Sequence, residues 1–269
     1  MPTVARLSIA PVRGLGLEHP TEVDLTEVGV VEDRRFFLID QTHRIIDGLV
    51  FGGLVRIRAH TDPGATMLRL TFPDGVVVED EVRLAQAVEI PIHGRTGVGR
   101  VVDGPWAAAL SAFVGRDVSV VRCDRPGGTR RGNPASLVSD GSLAELARQI
   151  DRPDVDARRF RMLIEIAGAA AHEEDSWIGW RIGIGDAILA VTLPDARCAV
   201  TTQHPESGVR DLDTLRTLIA YRGLRDGEFA DFGVLADVAQ PGRVRLGDEV
   251  VVLDSTSTSA GAASLPSAG

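Results

Sequence analysis

The chain reads as a succession of short apolar and alternating runs separated by glycine, proline and aspartate. Residues 3–12 (TVARLSIAPV) alternate as an opening strand that Pro11 and Gly14 end. Arg35 to Asp40 (RFFLID), 55–60 (VRIRAH), 66–72 (TMLRLTF) and 75–80 (GVVVED) follow as further strands, and Phe72–Gly75 (FPDG) reads as a hairpin turn. Pro105 to Gly115 (PWAAALSAFVG) has proline at its first turn and glycine past its end, which predicts a helix. A strand carrying Cys123 comes next (VSVVRCDRP), and Ser142 with Glu145 fits a capping box for a second helix starting there. The run AILAVTLPDARCAVTT predicts a long strand with Cys198 inside it, closed by the turn HPESG (His204 to Gly208). Asp211 or Asp213 can cap a third helix that carries Leu215, Leu218 and Ile219 inward and stops at Gly223. GEFADFGVLADV and GRVRLGDEVVVL read as closing strands, with Gly247–Asp248 as the last turn. Residues 255–269 are small and polar and are expected to be a disordered tail. The pattern is that of a mainly β protein with few helices.

Composition narrows the function classes. A formal net charge of −9 argues against a general nucleic-acid surface, which needs clustered cations. All 29 basic residues are arginine, so any anion site must be built from guanidinium groups, which grip phosphate bidentately. Two cysteines far apart make no disulfide framework, and a reducing cytoplasm is the expected compartment. No segment has the order of a signal peptide or the apolar length of a span, so no membrane partner is expected. The glycine-rich GRTGVGRVVDGP lacks the lysine of a phosphate loop. His172 with Glu173, Glu174 and Asp175 lacks a second histidine at ligand spacing and reads as a solvated charged turn.

Cys198 carries the chemistry. A lone strand cysteine is most often a small buried hydrophobe. Arg197 beside it favours the thiolate, the form that attacks or ligates. Around it stand Arg197, Cys198, Thr201 and Thr202, then His204–Gly208, then Leu218, Tyr221 and Arg222. This run resembles the signature of the MOSC family, R-C-x-x-T-T followed by a D/H-P-[DE]-[ST]-G turn and a helix ending L-x-x-Y-R. Ala10–Gly14 and Gly29–Arg34 are similar to the family's N-terminal barrel motifs, with Arg13 for the usual lysine and Gly14 for serine. Val138–Leu143 resembles its L-S-x-A-S-L motif, and Phe160–Arg161 its F-R-P-N entry, where Met162 and Leu163 replace proline and asparagine. The segment RIIDGLVFGG departs from the polar segment expected at the site's rim.

The resemblance implies an N-terminal β-barrel module (1–116) packed on a MOSC β-barrel (117–254) with peripheral helices, and a molybdenum cofactor in the cleft between them. It implies Cys198 as the molybdenum ligand and catalytic residue. Arg13, Arg34, Arg161, Arg197, Thr201 and the helix start at Ser139–Ser142 would hold the cofactor. Arg130 and Arg131 precede that helix as a gate or as surface charge. The implied activity is a molybdenum-dependent oxidoreductase reducing N-hydroxylated small molecules of the hydroxylamine or amidoxime type. With no cysteine cluster there is no iron–sulfur cluster, so electrons come from an external electron-transfer protein or reductase. The alternatives are a sulfur-carrying or cofactor-handling module with a persulfide on Cys198, or a degenerate scaffold.

Overall fold

A computed structural model of the chain describes residues 1–92, 94–130 and 133–255. In chain order the strands are β1 (Thr3–Leu7), β2 (Glu22–Leu25), β3 (Phe36–Ile39), β4 (Ile45–Ile46), β5 (Arg58–Thr61), β6 (Met67–Thr71), β7 (Val77–Glu81), β8 (Arg83–Ile92) and β9 (Arg95–Asp103). Helix α1 (Trp106–Val114) leads to β10 (Ser119–Cys123) and β11 (Ala135–Ser139), and α2 (Asp140–Ile150) to β12 (Ile164–Ala167), β13 (Trp180–Ile184) and β14 (Ala187–Ala196). Helix α3 (Thr214–Arg222) precedes β15 (Asp231–Gln240), β16 (Gly242–Arg245) and β17 (Val250–Ser255). The fold is mainly β, as the run pattern predicts. Of the expected tail, residues 256–269 lie outside the described residues, as does Arg131.

Two bodies follow from the pairing. One is a seven-stranded sheet in the order β1-β12-β11-β15-β14-β13-β17, over a core that includes Leu7, Leu137, Ile164, Leu189 and Val234. The other is the sheet β4-β3-β10-β9-β8 with the smaller sheet β5-β6-β7, around Phe36, Leu38, Leu68 and Trp106. Strand β3 is an unbroken apolar run because both its faces are covered. Phe36 and Leu38 enter the Trp106 core, while Phe37 and Ile39 join Val121 and Cys123 on the other side. Fully buried Trp106 donates its indole N–H to Leu68 O at 2.9 Å, tying α1 to β6.

The pairing crosses a cut at residue 117 in both directions. Strand β1 pairs with β12, and β2 with β16, while β10 pairs with β3 and β9. The opening strands thus complete the second body, and β10 completes the first.

Several elements differ from the expected ones. The glycine-rich stretch is strand β9, paired along β8. Gly52–Arg56 forms a 3-10 turn before β5, shortening the strand expected at 55–60. Helix α2 starts three residues early: Ser139 is its cap, its hydroxyl accepting from Ser142 N at 3.1 Å, and Glu145 pairs with Arg148 on the surface. Asp213 caps α3, but only Leu218 of the three expected apolar residues is fully buried, and Ile219 is exposed. Cys198 is not within a strand. Strand β14 ends at Ala196, and Cys198 caps a 3-10 turn, Ala199–Thr202.

The two bodies meet where Gly208 of the HPESG turn lies against Gly52. Gly208 has φ +73°, and a Cβ there would stand 1.9 Å from Gly52 O. Only glycine fits, for its backbone angle and for the space. We expect Gly208→Ala to destabilise the protein by about 2 kcal/mol or more, read as a lower urea midpoint. An unchanged midpoint would contradict the close contact.

Candidate functional site

The cleft between the bodies holds a cavity of about 240 Å³, lined from both sides. Arg13, Gly14, Arg34, Asp47, Gly48 and Val55 come from the first body, and Ser136, Arg161, Leu163, Arg197, Cys198, Val200, Thr201 and Gln203 from the second.

The thiol of Cys198 is solvent-exposed at this cavity, and its backbone is pinned. Its carbonyl accepts from Thr201 N at 3.2 Å and from Thr201 Oγ1 at 3.1 Å. Thr201 is held in turn by Thr214 Oγ1 at 2.9 Å, at the start of α3, where both threonines are buried. The second cysteine, Cys123, is buried on β10, and burial pushes its thiol up to about 11. That is an inert sulfur, as a structural role requires.

Arg197 is fixed from four directions. It bonds Asp195 and Phe160 O, donates to Met162 Sδ at 3.1 Å, and lies 5.4 Å over the Phe160 ring. Its Nε is buried without a partner, as is Gln203 Oε1 on the same body. Gln203 donates from its Nε2 to Gly48 O at 2.7 Å, which joins the thiol's loop to the first body.

The remaining arginines divide by what they have already spent. Arg130 is buried and bonds Val28 O, Val30 O and Asp33, so it is neither gate nor surface charge but a structural cation. Asp33 also accepts from Arg34 at 2.5 Å and from Ala10 N at 2.7 Å. Burial alone would push the Asp33 carboxyl up, but Arg34, Arg130 and the Ala10 N–H overcome this and hold it below its ordinary 3.8. Arg13 donates to Thr129 O at 2.6 Å and to Asp47 at 3.3 Å. Burial pulls Arg13 below its ordinary value, with Asp47 opposing. Arg34 reaches across to Arg161 O at 3.1 Å, and Arg161 reaches back to Leu15 O at 2.8 Å. That single bond leaves the other Arg161 N–H groups without a protein acceptor among the described residues. Burial and the repulsion of Arg34 bring Arg161 down to about 10, a cation short of counter-charge. Five arginines and three aspartates line the cavity, so its walls carry two positive charges in excess. That balance suits a phosphate dianion.

Arg13, Arg34, Arg161, Arg197, Thr201 and Cys198 are therefore brought to one cavity. Ser139 and Ser142 are not among its lining. Their hydroxyls donate to Glu174 at 2.7 and 2.6 Å, inside the protein behind the start of α2. Glu174 is fully buried, so the charged turn is not solvated, and Asp175 pairs with Arg222 at 2.7 Å. No group of residues fit to hold a metal ion occurs there or elsewhere among the described residues. No sequence motif marks the lining residues Thr129 and Gln203. Asp47 alone left a trace, as a carboxylate within the apolar run RIIDGLVF.

The residues present fit a phosphate-bearing, sulfur-ligated cofactor. The cavity offers one exposed thiol, an excess of cations from both bodies, and the buried unpartnered Arg197 Nε in its lining.

Comparison with known proteins bears on the same residues. The family model for the MOSC domain matches residues 124–251, and that for the MOSC N-terminal beta barrel domain matches residues 1–116. Mitochondrial amidoxime-reducing component 1 of Mus musculus is 35% identical over 282 residues, covering 93% of this chain and 82% of that protein. Its Homo sapiens counterpart is 26% identical, covering 93% and 83%. Mitochondrial amidoxime reducing component 2 of Bos taurus is 32% identical over 279 residues, covering 92% and 82%.

Asp33 gives a test by pH. Its folded pKa is depressed, so its contribution to stability is present above the ordinary 3.8 and is withdrawn as pH falls through the lower folded value. Asp33→Asn takes the carboxylate from buried Arg130 and from Arg34, and we expect it to cost about 3–5 kcal/mol at neutral pH. Urea melts from pH 7 down to 3 should show the wild-type losing stability at the acid end more steeply than the variant. Parallel curves would contradict this.

Proposed function

Because this chain belongs to the MOSC family, carrying both the N-terminal barrel domain and the MOSC domain, we propose that it is a molybdenum-cofactor-dependent oxidoreductase that reduces N-hydroxylated small molecules. The observation that carries the reading is the exposed Cys198 thiol at the mouth of a cleft with excess positive charge. The amidoxime-reducing relatives support the substrate class.

The roles of the chain's own residues follow from their bonds. Cys198 would ligate molybdenum, a metal that takes soft thiolate donors. When bound, the cofactor supplies the two-electron redox chemistry. Arg161 and Arg34 would grip its phosphate, and Arg13 would add charge from the first body. Thr201, anchored on Thr214, keeps the Cys198 backbone from shifting. Arg197, locked by Phe160 and Asp195, would hold a positive charge beside Cys198 in the cavity lining. Leu163 and Val200 give the cavity an apolar stretch of lining. The net reaction takes two electrons and two protons, breaks the N–O bond, and releases the reduced nitrogen compound and water. The electrons would come from a separate reductase or small electron carrier. The same proposal places the chain in the cytoplasm, where free thiols persist. Among the described residues no helix is long and apolar enough to cross a membrane.

Elemental analysis tests this in protein made by a host that synthesises the cofactor. Near-stoichiometric molybdenum is expected in the wild-type and its loss in Cys198→Ser, together with loss of amidoxime reduction. Molybdenum absent from the wild-type would overturn the reading. Cyanide-labile sulfur on Cys198 would then favour a sulfur carrier.

A further inference from the structure

The segment that departs from the family's polar rim forms an apolar lip on the cavity. Asp47 and Gly48 line the cavity, and the chain then turns sharply, with Val50 N donating to Asp47 O at 3.0 Å and Leu49 N to Asp47 Oδ1 at 3.0 Å. The tip of that turn presents Leu49 and Val50, 46% and 45% exposed. The facing loop of the second body presents Val209, 62% exposed, directly after Gly208. The Gly52–Gly208 contact and the Gln203–Gly48 hydrogen bond lock the two loops together. Leu49, Val50 and Val209 thus stand on one fixed junction beside the lining residues Gly48, Gln203 and Val200. Scattered exposed apolar side chains need no explanation. Three of them on two loops locked beside a cleft do, because each forfeits the gain of leaving water until something covers it.

We propose that this lip is a specificity element which holds the apolar body of the substrate while its N-hydroxyl group enters the cleft. The preferred substrates are therefore N-hydroxylated compounds with a neutral alkyl or aryl body rather than small or charged ones. The inference rests on the proposed reductase reading for the head group, and on the lip's own geometry for the body. The two loops come from different bodies, so the lip exists only while the junction is closed. Asp47 couples it to the cavity, since one carboxylate oxygen holds the turn and the other holds Arg13.

The test uses straight-chain amidoximes from acetamidoxime to octanamidoxime on the molybdenum-loaded protein, with binding read by calorimetry and turnover read with a chemical reductant. Affinity should rise by up to about fourfold per methylene while the chain still covers the lip. In the double variant Leu49→Ser, Val209→Ser, the affinity ratio of octanamidoxime to acetamidoxime should fall about tenfold or more. Affinity without chain-length dependence in the wild-type, or an unchanged ratio in the variant, overturns the lip. Chain-length-dependent binding that the variant loses, with no turnover of any amidoxime, keeps the lip and sinks the reductase reading. A wild-type urea midpoint in the variant, whose three altered or neighbouring side chains are exposed, separates loss of binding from loss of fold.

Discussion

A carboxylate taken wholly out of water must be matched by cations and donors, or it costs several kcal/mol. Asp33 is matched from three directions, by Arg34, Arg130 and the Ala10 N–H. Arg130 arrives from the segment after β10, and Ala10 follows β1, so this one side chain fastens the start of the chain to its middle. Arg34 carries the tie onward to Arg161 O in the second body. The walls of the cleft, and so the spacing of its remaining cations, depend on that buried cluster.

The cleft works through a division of labour among like residues. Arg130 is spent inside the protein, Arg13 is shared between Asp47 and the cavity, and Arg161 is left short of acceptors. Burial makes the charge at Arg161 costly by itself and favourable beside an anion. The thiol is treated differently: it is the backbone of Cys198 that is fixed, by Thr201 and through it by α3, while the sulfur stays exposed. Fixing the backbone while the sulfur stays exposed suits a group that must bind or react without reorganising.

The departures from the family's motifs each have a physical account. Gly14 has φ +86°, and a Cβ there would stand 2.9 Å from the Asp47 Cα, so the close approach of the Arg13 loop to Asp47 leaves no room for serine. Met162 is buried and its sulfur accepts from Arg197, while Leu163 presents an apolar wall where the family pattern has asparagine. Gly14 in place of serine and Leu163 in place of asparagine thus take two polar side chains from the cavity lining while its arginines are retained.

Much of the fold was legible. Alternating runs marked the strands, and Pro105 with Gly115 marked α1, because local rules of backbone geometry act within a few residues. The motif around Cys198 marked the site, since thiol, cation and threonines stand within five residues of one another in the sequence. Other features were not legible. That Ser139 and Ser142 serve Glu174 rather than the cavity depends on a residue some thirty positions away, which only the packing of α2 decides. The fates of the arginines depend on partners as distant as Asp33 from Arg130 and Leu15 from Arg161. The sequence by itself determined which side chains could bind an anion and a soft metal, because that is fixed by functional groups. The tertiary structure alone decided which of them remain available, because availability is set by desolvation and by the hydrogen bonds that burial forces each group to make.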